Sequence, residues 1–385
     1  MKPKLLLMAM VLLLTACDGL EARQGADSPV AEAGEKGTLS TPESSGHSAI
    51  RNDPESTQID QWMAQDEPGP GGVVMVVQSG EIVHQQGYGL ADVDQGIPIT
   101  PETRFHLGSV GKQFTAMGVL MLVDQGQVAL DDPISAHIPE LDWMDEGVTV
   151  RRLLHHTSGV MGYDDSDDIY DALLNSSSTP GNEDVVTAIS QFQEMLFDPG
   201  EEFHYSNTGY DLLGLLIERI SGQTYGQFME DSIFAPLGMR NTFALPSDER
   251  FGPSVAQSYD ADGPYEPDIL DNVNGSGSLY STLGDLYLYN QAWSTETLVS
   301  QDLLAEMVTS GTLRNGEETD YGFGVEVYTY GDYDYVAHQG AWLGFDSYYL
   351  RFPEESLTIV VLLNLDYAEQ DAETMAFAIA DLYLP

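Results

Sequence analysis

A serine and a lysine three residues apart form the strongest chemical signal in this sequence. Ser109 and Lys112 begin a largely apolar segment that predicts a buried helix over 109–125. Residues three apart on a helix share one face, so the hydroxyl and the amine would lie side by side. A neutral amine can take the hydroxyl proton, provided that burial or a nearby cation lowers the lysine pKa from about 10.4 toward about 7. The spacing therefore predicts acyl transfer through a covalent serine intermediate.

Because lysine is so rare in this chain, a lysine three residues after a serine is less expected by chance here than in a sequence of average composition. The chain has four lysines, of which Lys2, Lys4 and Lys36 precede the predicted domain and Lys112 lies within it. A solvated surface lysine is the alternative interpretation. A serine at a helix N-terminus also has its own backbone N–H free, which suits that group to stabilise an oxyanion.

Two further short motifs contain groups suited to the same chemistry. One is Tyr-Ser-Asn at 205–207, the single Tyr-x-Asn of the chain, for which a structural tyrosine is the alternative. The other is His-Gln-Gly at 338–340, whose glycine allows another backbone to approach closely. A second His-x-Gly at 106–108 runs directly into the serine, and the order of the motifs along the chain favours the later copy.

With these motifs the chain resembles the penicillin-recognising serine hydrolases, in the branch of class C β-lactamases, D-alanyl-D-alanine carboxypeptidases and β-lactamase-like esterases. The resemblance covers roughly residues 60–385. Phe-Asp-Pro-Gly at 197–200 and Pro-Leu-Gly-Met at 236–239, on either side of the helix after the tyrosine motif, are typical of that family. The resemblance implies an α+β fold of the β-lactamase/transpeptidase type, with an antiparallel sheet, flanking terminal helices and an inserted helical subdomain.

The resemblance also implies roles for individual residues. The implied catalytic residues are Ser109 as nucleophile and Lys112 and Tyr205 as proton-transfer groups. The implied substrate-binding residues are Asn207, His338 and Gly340, and the backbone N–H groups of Ser109 and Ala341 would form the oxyanion hole. Losing one such donor typically costs about 3–4 kcal/mol of transition-state stabilisation.

We expect neither a cofactor nor a metal. His155 and His156 could suggest zinc, but no third ligand at suitable spacing accompanies them. They belong to a Leu-Leu-His-His-Thr-Ser-Gly phrase at 153–159 that also resembles the family, and we interpret them as stabilising a loop.

Runs of apolar and β-branched residues predict the elements that position these motifs. A hairpin signal at Ser79 and Gly80 joins the first two strands. The predicted strands cover 73–77, 81–86, 87–93, 321–330, 345–352 and 357–363. Between them lie helices, including one over 211–220, and a last helix covers 368–383. Strands at both ends predict one sheet built from both termini.

The N-terminal residues predict an export signal. A positive start precedes an apolar run over 5–14 that is too short to span a bilayer. Leu-Thr-Ala-Cys at 14–17 resembles a bacterial lipoprotein signal, in which the cysteine becomes the lipidated first residue. The alternative is an ordinary cleaved signal with an incidental cysteine. Cys17 is the only cysteine, which excludes disulfides and a cysteine nucleophile from the domain.

These observations divide the chain into three parts. We expect a signal peptide over 1–16, the lipidated cysteine with a flexible Gly-, Ser-, Glu- and Pro-rich tether over 17–58, and the hydrolase domain over 59–385. By resemblance to enteric lipoproteins, Asp18 suggests the periplasmic face of the inner membrane. The expected partners are therefore a membrane lipid anchor and a small ester, amide or cell-wall peptide substrate, and the oligomeric state stays open.

The acyl donor stays open among three enzyme activities and one binding function. Carboxypeptidases and β-lactamases bind substrates with a carboxylate, which calls for a cation near the third motif, where this chain has His338. Arg314 and Arg351 are the nearest arginines in sequence. We therefore favour ester or peptide-like acyl hydrolysis over a class C-type β-lactamase or a D-alanyl-D-alanine carboxypeptidase. A penicillin-binding sensor or cell-wall interaction protein without turnover is the alternative of another class.

The chain is strongly acidic, with 14 basic and 62 acidic residues and a formal net charge of −48. Such a charge repels nucleic acids and anionic membrane surfaces. It is typical of proteins that work in high salt, where ions screen the self-repulsion.

We expect the fold and the activity to depend on salt. Raising the ionic strength from about 0.1 M to about 1 M shortens the Debye length from about 10 Å to about 3 Å, which screens repulsion among the acidic residues. The unfolding temperature, measured by circular dichroism, should therefore rise with NaCl. A melting temperature that stays constant or falls would contradict the hypothesis of adaptation to salt.

Overall fold

The computed structural model describes residues 54–64, 69–252, 254–366 and 371–384. Its centre is a six-stranded antiparallel sheet in the order β10-β11-β12-β13-β1-β2. Those strands are β1 (Gly72–Gln78), β2 (Glu81–Tyr88), β10 (Glu326–Tyr330), β11 (Tyr333–Trp342), β12 (Phe345–Phe352) and β13 (Leu357–Leu363). Smaller two- and three-stranded sheets contain β3 (Leu90–Asp92), β4 (Ile97–Pro98), β5 (Phe105–His106), β6 (Phe243–Ala244), β7 (Tyr259–Asp260), β8 (Gly263–Pro264) and β9 (Leu279–Ser281).

The helices fall into two groups along the chain. One group lies between the N-terminal and the C-terminal strands of the large sheet, and the other lies at the two ends of the domain. The α-helices are α1 (Pro54–Met63), α2 (Lys112–Asp124), α3 (Val150–Leu154), α4 (Asp167–Ser176), α5 (Asn182–Phe192), α6 (Asn207–Ser221), α7 (Tyr225–Met229), α8 (Ala235–Leu237), α9 (Leu283–Ala292), α10 (Gln301–Met307) and α11 (Ala372–Tyr383). Short 3₁₀ segments cover Gly108–Gly111, Ile134–Ala136, Pro139–Leu141, Asp248–Phe251 and Ile269–Asn272, and a π-helical turn covers Glu230–Phe234. None of the helices in the described part of the chain is long and apolar enough to cross a membrane.

The sheet separates two apolar clusters. Val74 and Ile359 face α1 and α11 on one side, whereas Met75 and Val360 face α2 and α6 on the other. Because both faces of β1 and β13 are buried, the sequences of these two strands are nearly continuous apolar runs. The pairing of β1 with β13 joins the two chain ends in one sheet, so the predicted α+β architecture is confirmed.

Several elements agree with the sequence prediction. The hairpin between β1 and β2 turns at Ser79 and Gly80, whose φ angles of 51° and 80° are those of the tight turns that suit hairpin twist. The helix expected over 109–125 is formed by the 3₁₀ turn at Gly108–Gly111 followed by α2. The helix expected over 211–220 is α6, which ends at Gly222 in the left-handed conformation.

Other boundaries were wrong. The strand expected over 87–93 breaks at Gly89, whose φ of 78° ends β2. The strand expected over 321–330 is regular only in β10, because Gly324, with a φ of 71°, turns the preceding residues over the start of α2.

The two ends of the domain also differ from the prediction. Residues 54–58, assigned to the tether, belong to α1. The last helix begins at Ala372, and residues 367–370 lie outside the described residues, as do the predicted signal peptide, Cys17 and the tether before residue 54.

Candidate active site

The predicted nucleophile lies on a tight turn between the small sheet and α2. Gly108, with a φ of 53°, redirects the chain after β5 and begins the 3₁₀ turn that contains Ser109. His106 Nδ1 accepts the backbone N–H of Gly108 at 3.0 Å and so holds this turn. The His-x-Gly copy at 106–108 is therefore part of the support of the serine, not a wall strand.

Lys112, the first residue of α2, is completely buried. Its Nζ lies 3.1 Å from Ser109 Oγ, 2.7 Å from Asn207 Oδ1 and 2.7 Å from the carbonyl oxygen of Ser276. Burial lowers the pKa of Lys112 to about 7, although the charge of nearby carboxylates opposes that shift. A large part of the amine is therefore neutral near neutral pH.

The three partners of Lys112 determine where its lone pair points. The oxygens of Asn207 and Ser276 are carbonyl oxygens, which only accept hydrogen bonds. A neutral amine has two N–H groups and one lone pair, so these two acceptors take both N–H groups. The lone pair then faces Ser109 Oγ, where it can receive the hydroxyl proton.

A glycine-containing loop supplies the Ser276 carbonyl. Gly275 has a φ of 123°, and a Cβ at that position would lie 2.2 Å from the carbonyl oxygen of Tyr210, so only glycine lets the loop pack against α6. Thr115 Oγ1 donates to the carbonyl oxygen of Gly275 at 2.7 Å, and the Ser276 N–H donates to Asp211 Oδ1 at 3.1 Å. The carbonyl that binds the lysine is thus fixed from both sides.

Asp211 is a buried carboxyl on α6, and its exposed fraction is 1 %. Its Oδ2 accepts a hydrogen bond of 2.8 Å from the Tyr163 hydroxyl. Burial raises the pKa of Asp211, and the charge of Lys112 opposes that shift. The lysine and this carboxyl consequently influence one another's ionisation.

Tyr205 reaches the same point from the segment that leads into α6. Its ring lies 4.7 Å from Lys112 Nζ, and the nearby Ser109 hydroxyl opposes the rise in the pKa of Tyr205. The side chain is 38 % exposed, yet its hydroxyl is surrounded by protein, as expected for a group that lines a cleft. Burial raises the pKa of Tyr205, so the hydroxyl is protonated and can donate.

The N-cap of α6 positions Tyr205 and Asn207. Ser206 Oγ accepts the N–H of Gly209 at 3.0 Å, which starts the helix at Asn207. The Ser206 N–H donates to His156 Nδ1 at 3.1 Å, and the His156 ring lies 4.4 Å from that of Tyr205. Burial lowers the pKa of His156 well below its usual value, so the ring is neutral and can accept this bond. The histidine that we interpreted as a loop residue thus supports the tyrosine motif directly.

His338 does not present its ring to the cleft as the sequence analysis expected. The side chain is 2 % exposed, its Nε2 lies 2.8 Å from the Tyr321 hydroxyl, and its Nδ1 lies 2.5 Å from the carbonyl oxygen of Gln339. Burial, together with the charge of Lys112, lowers the pKa of His338 to about 3. His338 is therefore a neutral residue that packs near Tyr205, with ring centroids 6.1 Å apart, and it supplies no cation.

The resemblance assigned Gly340 to substrate binding, but the structure shows that glycine is needed here because another part of the chain packs against it. A Cβ at this position would lie 2.0 Å from the carbonyl oxygen of Leu107 and 3.0 Å from the backbone nitrogen of Ser109. The space of the missing side chain is therefore occupied by the turn that carries the nucleophile. A Cβ on Gly108 would lie 2.7 Å from the backbone nitrogen of Ala341. The segment Gly340–Ala341 therefore packs directly against the turn Gly108–Ser109, and these two segments carry the two predicted oxyanion donors.

The two arginines considered for carboxylate binding have other contacts. Arg351 is half-buried, and its guanidinium lies 4.6 Å from the ring of Trp293. Arg314 lies 3.9 Å from a carboxylate oxygen of Glu201.

The structure thus assembles Ser109, Lys112, Tyr205 and Asn207, whereas sequence reasoning missed several of their supports. Those are the Ser276 carbonyl, Asp211 and Tyr321. An aspartate inside the apolar run of α6 was an available signal for Asp211. No sequence signal pointed to the carbonyl of Ser276, because a backbone carbonyl is the same in every residue type.

Comparison with known proteins agrees with this geometry. Residues 59–384 match the Beta-lactamase family. The chain belongs to that family. Its resemblance to penicillin-recognising serine hydrolases is therefore confirmed.

Relatives of this beta-lactamase-family chain include Penicillin-binding protein 4* of Bacillus subtilis, 30 % identical over 78 % of this chain and 69 % of that protein. Another is a D-aminopeptidase of Gluconobacter oxydans, 28 % identical over 81 % of this chain and 59 % of that protein. Among solved structures, the octameric penicillin-binding protein homologue from Pyrococcus abyssi has a TM-score of 0.73 at 28 % identity, covering 85 % of this chain and 76 % of that one. A penicillin-binding protein from Bacillus halodurans has a TM-score of 0.71 at 25 % identity, covering 85 % of this chain and 99 % of that one.

The low pKa of Lys112 can be measured directly because lysine is so rare. In protein labelled with ¹³C at lysine Cε, the resonance that Lys112→Ala removes should titrate near pH 7, whereas other lysines titrate near about 10.4. Asp211→Asn keeps an oxygen for the Ser276 N–H but removes the negative charge that favours the ammonium form. That variant should lower the pKa of Lys112 further.

The matched control is Asp332→Asn, which removes the same charge from an exposed turn between β10 and β11. It should leave the Lys112 titration unchanged. A Lys112 resonance that titrates with the other lysines, or one that Asp211→Asn does not move, would contradict this account of the site.

Proposed function

We propose that this chain is a serine hydrolase that forms an acyl-enzyme on Ser109 and acts on ester or peptide-like amide substrates. The observation that carries the proposal is the buried amine of Lys112, 3.1 Å from Ser109 Oγ, with its lone pair directed at the hydroxyl. Membership of the Beta-lactamase family supports the same reaction class.

In the proposed reaction Ser109 Oγ attacks the substrate carbonyl while its proton passes to the neutral amine of Lys112. The N–H groups of Ser109 and Ala341 stabilise the oxyanion that forms. The bond to the leaving group breaks, and the leaving group takes a proton from Tyr205, whose ring lies 4.7 Å from Lys112 Nζ. Water then hydrolyses the acyl-enzyme and regenerates the serine.

Charge favours this substrate class over β-lactams and peptides with a terminal carboxylate. His338 is neutral, and the pKa of Lys112 is lowered, so neither provides a stable positive charge for a carboxylate. The D-aminopeptidase relative supports amide substrates, whereas the penicillin-binding relatives keep the carboxypeptidase alternative open.

The experiment combines turnover with intact mass. The purified protein is mixed with a fluorogenic short-chain ester and, separately, with penicillin, at low and high salt. Ester turnover should fall by about 10³-fold or more in Ser109→Ala, because the covalent route is lost. Ser294→Ala, at an exposed serine after α9, is the matched control and should keep full activity.

The outcomes separate the alternatives. Ester turnover with a slow or absent penicillin adduct supports the proposal. A stable penicillin adduct on Ser109 without turnover would instead indicate a carboxypeptidase or a sensor. If no chemistry depends on Ser109 at any salt, the chain is not the hydrolase proposed.

We also propose that the protein is an exported lipoprotein on the periplasmic face of a bacterial membrane. The Leu-Thr-Ala-Cys sequence at 14–17 and the preceding apolar run support this location. Protein extracted from membranes should begin at Cys17 and carry the mass of added acyl chains, and Cys17→Ala should abolish both. A wild-type mass without lipid would contradict the proposal.

A further inference from the structure

His106 is buried between the two segments that contain the predicted oxyanion donors. Its side chain is 2 % exposed, and its Nδ1 accepts the N–H of Gly108, the residue before Ser109, at 3.0 Å. Its ring stacks on that of Trp342, the residue after Ala341, with centroids 6.3 Å apart and an angle of 25° between the planes. One side chain therefore packs against both segments.

Aromatic rings fix the orientation of this imidazole. The ring of Phe345, which pairs with Trp342 at the end of the β11–β12 hairpin, lies 6.0 Å from it at an angle of 29°. The ring of Tyr280 meets it edge to face at 4.9 Å. Trp342 is itself held by a hydrogen bond of 2.9 Å from its Nε1 to Asp271. These contacts keep Nδ1 directed at Gly108.

The bond to Gly108 determines which ring nitrogen carries the proton. Because Nδ1 accepts an N–H, it is unprotonated, and the neutral ring must have its hydrogen on Nε2. Burial lowers the pKa of His106 to about 3, so the ring stays neutral near neutral pH.

The Nε2 atom of His106 has no hydrogen-bond partner within the part of the chain that the structure describes. Burying an unpartnered N–H is unfavourable, and a phenylalanine would fill an aromatic cluster without it. What the imidazole adds to a phenylalanine ring is the acceptor at Nδ1. The bond to the turn before Ser109 therefore explains the histidine, whereas packing alone does not.

The peptide between Leu107 and Gly108 is held at both of its polar atoms. Its N–H binds His106, and its oxygen lies where a Cβ on Gly340 would be only 2.0 Å away. The next peptide carries the Ser109 N–H. A rotation of the first peptide would therefore move that N–H relative to the segment with the second donor.

We infer that His106 is a positioning residue that holds the Ser109 N–H at the distance from the Ala341 N–H that one oxyanion requires. The inference rests on the proposed function and adds to it a residue that does not touch the substrate. Both donors must lie about 2.7–3.1 Å from the same oxygen, so a small rotation of the turn weakens one of the two hydrogen bonds.

Such a role acts on the transition state more than on the bound substrate. The substrate oxygen becomes negative only as Ser109 attacks, so a displaced donor lowers kcat and leaves KM nearly unchanged. A residue that only fills the core would instead matter through the volume and shape of its ring.

Two substitutions separate these roles because each keeps a different part of the histidine. His106→Asn keeps an acceptor, its Oδ1, near the position of Nδ1 but removes the ring, whereas His106→Phe keeps the ring and removes the acceptor. With the fluorogenic short-chain ester, His106→Phe should lower kcat by about tenfold or more and change KM by less than about threefold. His106→Asn should keep kcat within about threefold of the unsubstituted protein.

Thermal unfolding should rank the two variants in the opposite order. His106→Asn leaves a void in the aromatic cluster and should lower the melting temperature more than His106→Phe does. His137→Phe, which replaces a histidine paired with Asp132 in another loop, is the matched control and should leave kcat unchanged.

The tautomer provides a test in the unsubstituted protein. In ¹⁵N spectra at pH 5, an exposed histidine with a pKa near about 6.5 is protonated. The His106 ring should instead be neutral with its hydrogen on Nε2, and its Nδ1 should show a coupling to the Gly108 amide nitrogen across their hydrogen bond.

The results separate this inference from the proposed function. An unchanged kcat in His106→Phe overturns the inference, as does a kcat that falls in both variants in proportion to their loss of stability. A His106 ring with its proton on Nδ1 overturns it as well. If no turnover depends on Ser109, the proposed function fails and the inference fails with it. Turnover that depends on Ser109 but not on the acceptor rejects only the role of His106.

Discussion

The structure of the site depends on one buried amine. Lys112 has no exposed surface, and three oxygens surround its nitrogen. Moving a lysine pKa from about 10.4 to about 7 corresponds to about 5 kcal/mol against the charged form. Folding must provide that amount, and it does so by closing α2, α6 and the loop at Ser276 over the amine. Of these, α6 and the loop also contribute the two acceptors, Asn207 Oδ1 and the Ser276 carbonyl oxygen, that direct the lone pair toward Ser109.

Glycines make this closure possible because they let backbones meet where side chains would collide. Gly275 brings the Ser276 loop onto α6, and Gly340 admits the turn that carries Ser109. Gly324 lies on the backbone of Lys112, where a Cβ would be 2.7 Å from the Lys112 carbonyl. The predicted catalytic groups are therefore positioned by contacts between main chains, which are more rigid than contacts between flexible side chains.

The electrostatics of the site follow from a shortage of cations. His156 and His338 are neutral because they are buried, and Asp164 and Asp211 lie beside the only lysine of the described ranges. The described residues around Lys112 therefore supply little positive charge.

The sequence by itself determined the family and much of the fold. The Ser109–Lys112 spacing, the Tyr-Ser-Asn motif and the apolar strands at both ends sufficed, because these signals are local and each residue type limits the chemistry or the conformation. Only the tertiary structure decided the role of His338, which the sequence analysis placed in contact with substrate, and that of His156, which it treated as a loop residue. Burial and hydrogen-bond partners decide what a histidine does, and both arise from contacts between residues far apart in the chain. The same holds for the Ser276 carbonyl, whose position relative to Lys112 follows from the packing of its loop against α6.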